Sequence, residues 1–263
     1  MIDIRWLVSL VRAAGTLAAR RQLRLTAAEC ALKDDGSVVT AVDRDTEDLL
    51  AEAILTHHPD ANLITEERSR PFSTGRPLTF VIDPIDGTDS FSQGLPTWAV
   101  SVGVLDAELR PIAGVVHAPR LGFSFSARVG AGVRVTGRRV PSPPPVVELT
   151  RLSSLAISSR AHRAFDLHRF PGKIRSHGSA ALHFVYPAVF RGIVAALQDP
   201  GANAWDIAGA HAICLAAGCS FTTLDGHEIM YGPLRARGWK VGTSLLAAKP
   251  GAAALVVPFI RVL

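Results

Sequence analysis

Three aspartates fall within seven residues at Asp83-Pro84-Ile85-Asp86-Gly87-Thr88-Asp89, directly after the apolar run 79–82. Across a Pro-containing turn, the carboxylates of Asp83 and Asp86 can converge on one point. Two such charges repel unless a divalent cation lies between them. Oxygen donors with no His or Cys among them favour Mg²⁺ over zinc. The Gly87-Thr88 step adds backbone N–H groups and a hydroxyl suited to a phosphate oxygen. The competing reading is an acidic surface turn closed by an Asx-type bond. A buried strand running straight into three aspartates favours the cation site.

The flanking pattern shows what must hold these residues. Apolar residues at helical spacing predict a helix over 4–24 and a second over 41–58, which Pro59 ends. Residues 79–82 read as a buried strand opening into an acidic loop at Asp83, followed by strands over 99–105, 112–117 and 123–127. The Gly/Arg/Pro segment 137–145 ends in three consecutive prolines, which cannot continue a sheet or helix, so it divides the chain into an α+β part, 1–140, and an α/β part, 141–263. The second part reads as strand 155–158, helix 179–191, strand 193–197 and helix 206–217, with Gly218 as C-cap. Strands over 220–223 and 241–243 and a helical segment over 244–248 close it. The expected fold class is α/β.

Composition narrows the function. The chain has 263 residues, 48% hydrophobic and 19% charged, which excludes a disordered chain. The longest early apolar stretch, 6–19, is broken by Arg12 and Gly15. A membrane span is therefore not expected, and without a small-residue cleavage site the amino terminus reads as a cytoplasmic helix. Cys30, Cys214 and Cys219 are too few and too scattered for a disulfide framework, and the last two read as buried small residues. The formal charge is +5, with 16 Lys+Arg against 17 Asp+Glu in residues 1–140 and 12 against 6 in 141–263. The cations are dispersed and lack interleaved aromatics, so a small anionic substrate fits better than nucleic acid.

Asp83-Pro84-Ile85-Asp86-Gly87-Thr88, the upstream Glu66-Glu67, the downstream Trp205-Asp206-Ile207-Ala208-Gly209 and the stretch Val39-Thr40-Ala41-Val42-Asp43 together resemble the inositol monophosphatase family. The resemblance runs from about Lys33 to Ala247. It implies a layered αβαβα sandwich of the inositol monophosphatase/fructose bisphosphatase type, a homodimer, and a lithium-sensitive, Mg²⁺-dependent phosphomonoesterase in which Mn²⁺ substitutes. Carried over by position, one metal site would use Glu66, Asp83 and the carbonyl of Ile85. A second would use Asp83, Asp86 and Asp206, and a third, weaker ion would sit near Glu66. Thr88 and Asp43 would orient and deprotonate the attacking water, with Asp35 as a further acid near the metals. Asp86, Gly87, Thr88, Ser179, Ala180, Asp199 and Asp206 would contact substrate.

Several of these positions also have plainer readings. Asp43 and Asp206 could be simple N-caps, and Ser179 the cap of a packing helix. Asp199 stands where inositol-phosphate enzymes carry Glu, a shorter reach by one methylene. Asp89-Ser90-Phe91 matches neither the inositol nor the nucleotidase pattern. His183 falls near a nucleotidase Lys, though a packed histidine is the commoner outcome. A small polyol or sugar phosphate is the leading substrate class. A 3′(2′),5′-bisphosphate nucleotidase, a histidinol-phosphate phosphatase and a non-catalytic phosphate-ligand binder follow.

Overall fold

The computed structural model describes residues 2–32 and 38–263. Lys33 and Asp35 lie outside the described residues. Helix α1 (Ile4–Gln22) is capped by Asp3, whose carboxylate accepts from the amides of Arg5 and Trp6. A short antiparallel pair, β1 (Cys30–Leu32) and β2 (Val38–Thr40), leads into α2 (Ala41–His57). Then come β3 (Asn62–Thr65), β4 (Thr79–Asp86), the one-turn helix α3 (Thr88–Ser92), β5 (Ala99–Leu105), β6 (Pro111–Ala118), β7 (Phe123–Arg128), β8 (Val133–Val135) and β9 (Arg138–Val140). Strands β3 to β9 form a seven-stranded sheet in chain order, antiparallel except for the parallel β3–β4 pair.

The second part holds β10 (Ser154–Ile157), β11 (Phe165–Asp166), β12 (Lys173–Arg175), α4 (Ala180–Val189), β13 (Ile193–Gln198), α5 (Ala204–Ala217), β14 (Ser220–Thr223), α6 (Tyr231–Leu234), β15 (Leu245–Ala248), α7 (Ala252–Val256) and β16 (Arg261–Val262). Five strands form a mixed sheet in the order β12-β10-β13-β15-β14, while β11 pairs with β16. The chain thus stacks as α1 and α2, the seven-stranded sheet, α4 and α5, the five-stranded sheet, and α7. This is the expected αβαβα sandwich. Each interlayer space holds an apolar cluster. The central one joins Val81, Val116 and Phe125 to Ala156, Phe184 and Ile213, so it draws on both parts of the chain. No helix of the described residues is long and apolar enough to cross a membrane.

Close approach of α5 to the first sheet depends on glycine. A Cβ at Gly114 would lie 2.1 Å from the carbonyl oxygen of Gly209, and one at Gly103 would lie 2.5 Å from the Ala208 Cβ. Bare backbone at these points lets the helix bearing Asp206 settle on the strands β5 and β6.

Three expectations need correction. Strand β4 does not stop before Asp83; it continues to Asp86, with a register shift against β5 between the two aspartates. Residues 244–248 do not form a helical segment. Leu245–Ala248 is a strand buried between β13 and β14, where packing on both sides overrides the helix preference of Leu and Ala. Residues 241–243 are not a strand, and the nearby pairing is an isolated bridge from Asn203 to Lys240.

Candidate active site

The site is built where β4 ends. Asp83 and Asp86 are both buried, although each belongs in water by its own chemistry. Each offers an oxygen that lies with one from the half-buried Asp206 inside a 4.8 Å cluster. Glu66, one residue beyond β3, is within hydrogen-bond reach of Asp83 and raises its proton affinity. Burial, then Glu66, Asp86 and Asp206 in turn, holds the Asp83 carboxyl well above the usual range. Burial and Asp206 lift Asp86 to about 7, against three hydrogen bonds that favour its ionised form. Asp83 Oδ1 is buried without a hydrogen-bond partner. An orphaned carboxylate oxygen inside a three-acid cluster is what a hard cation would satisfy, so these residues fit a divalent ion.

Gly87 turns the chain sharply at the cluster. Its φ is 92°, and a Cβ there would come 2.9 Å from the Gly178 carbonyl oxygen, so a side chain is excluded twice over. The next residue, Thr88, opens α3. Its Oγ1 lies 3.0 Å from Asp43 Oδ1 and 2.9 Å from the Ile85 carbonyl oxygen. The Asp43 Oδ2 accepts the Thr40 amide at 2.9 Å, and the carboxylate stands at the third position of α2. Asp43 is therefore not the N-cap; Thr40 is. Burial raises the Asp43 carboxyl to about 6 despite the donors from Thr40 and Thr88.

Asp206 repeats this arrangement. Its helix begins two residues earlier than expected, at Ala204, and its Oδ2 accepts the Asn203 amide at 2.6 Å. The capping reading and the cluster position therefore both hold for it, one oxygen serving the cap.

The predicted substrate residues separate. Ser179 is fully buried, caps α4 and gives its hydroxyl to Asp86 Oδ2. The amides of Ala180 and Ala181 donate to the same carboxylate at 3.2 and 2.7 Å. The start of α4 therefore donates to Asp86, and the capping reading of Ser179 holds. Asp199 accepts from Ser158 and Gln198. His183 is buried and held neutral, its pKa lowered to about 3 by burial. It cannot supply the cationic contact considered for it. Cys214 and Cys219 are buried and free, as expected, with burial raising the Cys219 thiol to about 12.

Above the acids lies a cleft of about 530 Å³ lined by Glu66, Thr88, Trp205 and Asp206 among others. Two cations on its wall, Arg160 and Lys240, were not foreseen from the sequence. The available signal was Ser158-Ser159-Arg160 directly after a strand of the parallel pair β10–β13, an end where α/β sheets place ligands.

Fold and site define a layered α/β protein with a cation-compatible carboxylate cluster beneath an open cleft. The description of the inositol monophosphatase family matches residues 4–256, and the chain belongs to that family. It is 33% identical over 198 residues to a Thermotoga maritima protein named Fructose-1,6-bisphosphatase/inositol-1-monophosphatase, covering 73% of each. It is 31% identical over 234 residues to the Escherichia coli K12 protein named Nus factor SuhB, covering 85% of this chain and 86% of that one. The solved structure of a Thermotoga maritima IMPase superposes with a TM-score of 0.82 at 24% identity, covering 97% of this chain and 95% of its own, and supports the fold alone. Membership supports a metal-dependent hydrolase of phosphate esters.

Proposed function

We propose that the chain is a Mg²⁺-dependent phosphomonoesterase acting on a small polyol or sugar phosphate by direct attack of water. The observation that carries this reading is the Thr88–Asp43 contact of 3.0 Å beside the Asp83, Asp86 and Asp206 cluster. These three aspartates, with Glu66 and the Ile85 carbonyl, would hold Mg²⁺ or Mn²⁺. When bound, the cation supplies electrostatic polarisation of the phosphate and lowers the pKa of water.

The chain's own residues handle the proton. Thr88 has one hydroxyl hydrogen; given to Asp43, it leaves the oxygen lone pairs to accept from a water in the cleft. A Thr hydroxyl is too weakly basic to keep a proton, so Asp43 receives it. Burial has already raised the proton affinity of Asp43 toward neutrality, which suits a general base. As the water oxygen bonds to phosphorus, the ester P–O bond breaks and the departing alkoxide takes up a proton. One water is consumed. Asp86, fixed by Ser179, Ala180 and Ala181, keeps one face of the cluster in place. Gly87 leaves its backbone open to the cleft.

Phosphate release with millimolar Mg²⁺ from inositol 1-phosphate, fructose 1,6-bisphosphate, histidinol phosphate and 3′-phosphoadenosine 5′-phosphate tests the reading. Turnover of at least one is expected, and silence across the panel would overturn it. Family membership is also the ground for proposing lithium inhibition, a homodimer and a cytoplasmic location. Inhibition curves, sedimentation and cell fractionation check these in turn.

A further inference from the structure

Glu47 is a buried acid that neither the proton path nor the aspartate cluster uses. It stands in the second turn of α2, one helical turn after Asp43 and on the same face, and is 0% exposed. A carboxylate withdrawn from water is costly unless it is hydrogen-bonded or paired. Its Oε2 accepts the backbone amide of Glu67 at 2.7 Å. Its Oε1 has no hydrogen bond among the described residues and faces the Arg70 guanidinium at 3.9 Å. The short bond therefore ties α2 to the backbone just past β3.

The place of that amide gives the bond its meaning. Strand β3 runs parallel to β4 with Thr65 beside Ile82, and the next residues on the two strands are Glu66 and Asp83. Strand pairing fixes the backbone as far as Thr65. Beyond it the chain bends, and the direction of the Glu66 side chain depends on the peptide that joins Glu66 to Glu67. The N–H of this peptide is the group that Glu47 holds. With the peptide plane fixed, Glu66 stays within hydrogen-bond reach of Asp83. Other ties close the bend from its solvent side. The Thr65 hydroxyl donates to the Arg68 carbonyl at 2.7 Å, and Arg68 pairs with Asp48 at 2.6 Å. Glu47 reaches the Glu66 backbone from the buried side. A side chain can govern an ion it never touches by orienting the ligand that does.

We propose that Glu47 is a positioning residue, which aims Glu66 at Asp83 by holding the Glu66–Glu67 peptide. The proposal rests on the reading of Glu66 as a cation ligand. Calorimetric binding of Mn²⁺ to the full chain tests it, with two substitutions that separate reach from charge. Glu47→Asp keeps the charge and draws the acceptor back by one methylene. Glu47→Gln keeps the reach and an acceptor oxygen but removes the charge. Glu47→Asp should weaken Mn²⁺ by about tenfold, the scale of a lost partner to a metal ligand. The Mg²⁺ concentration for half-maximal turnover should rise by the same factor, with kcat at saturating Mg²⁺ near that of the wild type. Glu47→Gln should restore most of the affinity. A Glu47 that serves the fold alone would lower Tm without separating the two variants in Mn²⁺ affinity, and that result overturns the proposal. So does a Gln variant weaker than the Asp variant, since Glu47 would then act by charge. Arg68→Gln cuts the outer tie and should leave Mn²⁺ affinity unchanged; an equal loss there would assign the effect to the whole bend and not to Glu47. If the wild type binds no Mn²⁺, the cation reading is what fails, and crystal structures of the variants decide Glu47 separately. Glu66 turned away from Asp83 in Glu47→Asp but not in Glu47→Gln supports the proposal, and Glu66 in place in both rejects it.

Discussion

Helices α2 and α5 begin in the same way and end up with different chemistry. Each carries an aspartate at its third position, Asp43 and Asp206, whose Oδ2 accepts the amide of the capping residue. Such a reciprocal cap satisfies a backbone donor and places a carboxylate where the helix dipole favours its charge. What differs is the neighbour of the remaining oxygen atoms. Asp43 is wholly buried and meets the Thr88 hydroxyl, whereas Asp206 is half-buried and joins Asp83 and Asp86. The local motif sets where the carboxylate sits. On the proposed reading, the tertiary partner decides whether it would move a proton or hold an ion.

The comparison breaks most visibly at Asp206. Asp206→Asn should reduce both divalent-cation binding, measured by calorimetry, and turnover to the detection limit, since it removes one of three clustered charges. Full activity with unchanged cation affinity would mean that Asp206 is only a cap. Asp43→Asn should behave differently. Loss of a general base lowers kcat by about 10²–10⁴, while cation affinity stays close to that of the wild type. If both variants lost cation binding alike, the two helices would have one function and not two.

Proton linkage sharpens the same contrast. Asp43 and Asp86 have folded pKa values near 6 and 7, above the 3.8 of a free carboxyl. The folded state therefore binds their protons more tightly than the unfolded state does. The stability this brings is present below about pH 4 and is lost as pH rises through those values, at about 1.4 kcal/mol per unit and group. Metal-free protein should thus melt lower at pH 8 than at pH 5.5. Mg²⁺ should raise Tm more at pH 8, because it compensates the Asp86 charge. Asp86→Asn should reduce that Mg²⁺ increment, and Asp43→Asn should leave it in place. An increment that is the same at both pH values would refute the assignment of the cation to Asp86.

What could be read from the sequence follows chain distance. The acidic turn and both capping aspartates are contiguous patterns, and the strands and helices around them follow simple periodicity. The cap at Ser179 could be read locally, but its bond to Asp86 could not, because that partner lies 93 residues away. Nothing local in Gly-Ser-Ala-Ala says that the helix start faces a carboxylate. Arg160 was lost among 24 arginines, and only the pairing of β10 with β13 brings it beside Gln198 and Gly201. The run Leu245–Ala248 has no alternation to mark it as a strand, because both of its faces are buried.

The smallest expected difference lies in the caps themselves. Thr40 contributes its side chain twice, accepting from the Val42 amide at 3.2 Å and donating to Asp43 Oδ2 at 2.5 Å. Thr40→Ala should cost about 1 kcal/mol of folding stability, the usual worth of a cap. It should also lower kcat, because Asp43 loses one of the donors that aim it at Thr88. Asn203 contributes chiefly its backbone amide, and its side chain reaches Asp206 only at 3.4 Å. Asn203→Ala keeps the amide and should cost less than Thr40→Ala in urea denaturation, with cation affinity nearly intact. The reverse ranking of the two midpoints would show that α5, and not α2, depends on its capping side chain. The two carboxylates would then be held in place by different means, and the parallel between the helices would stop at the sequence.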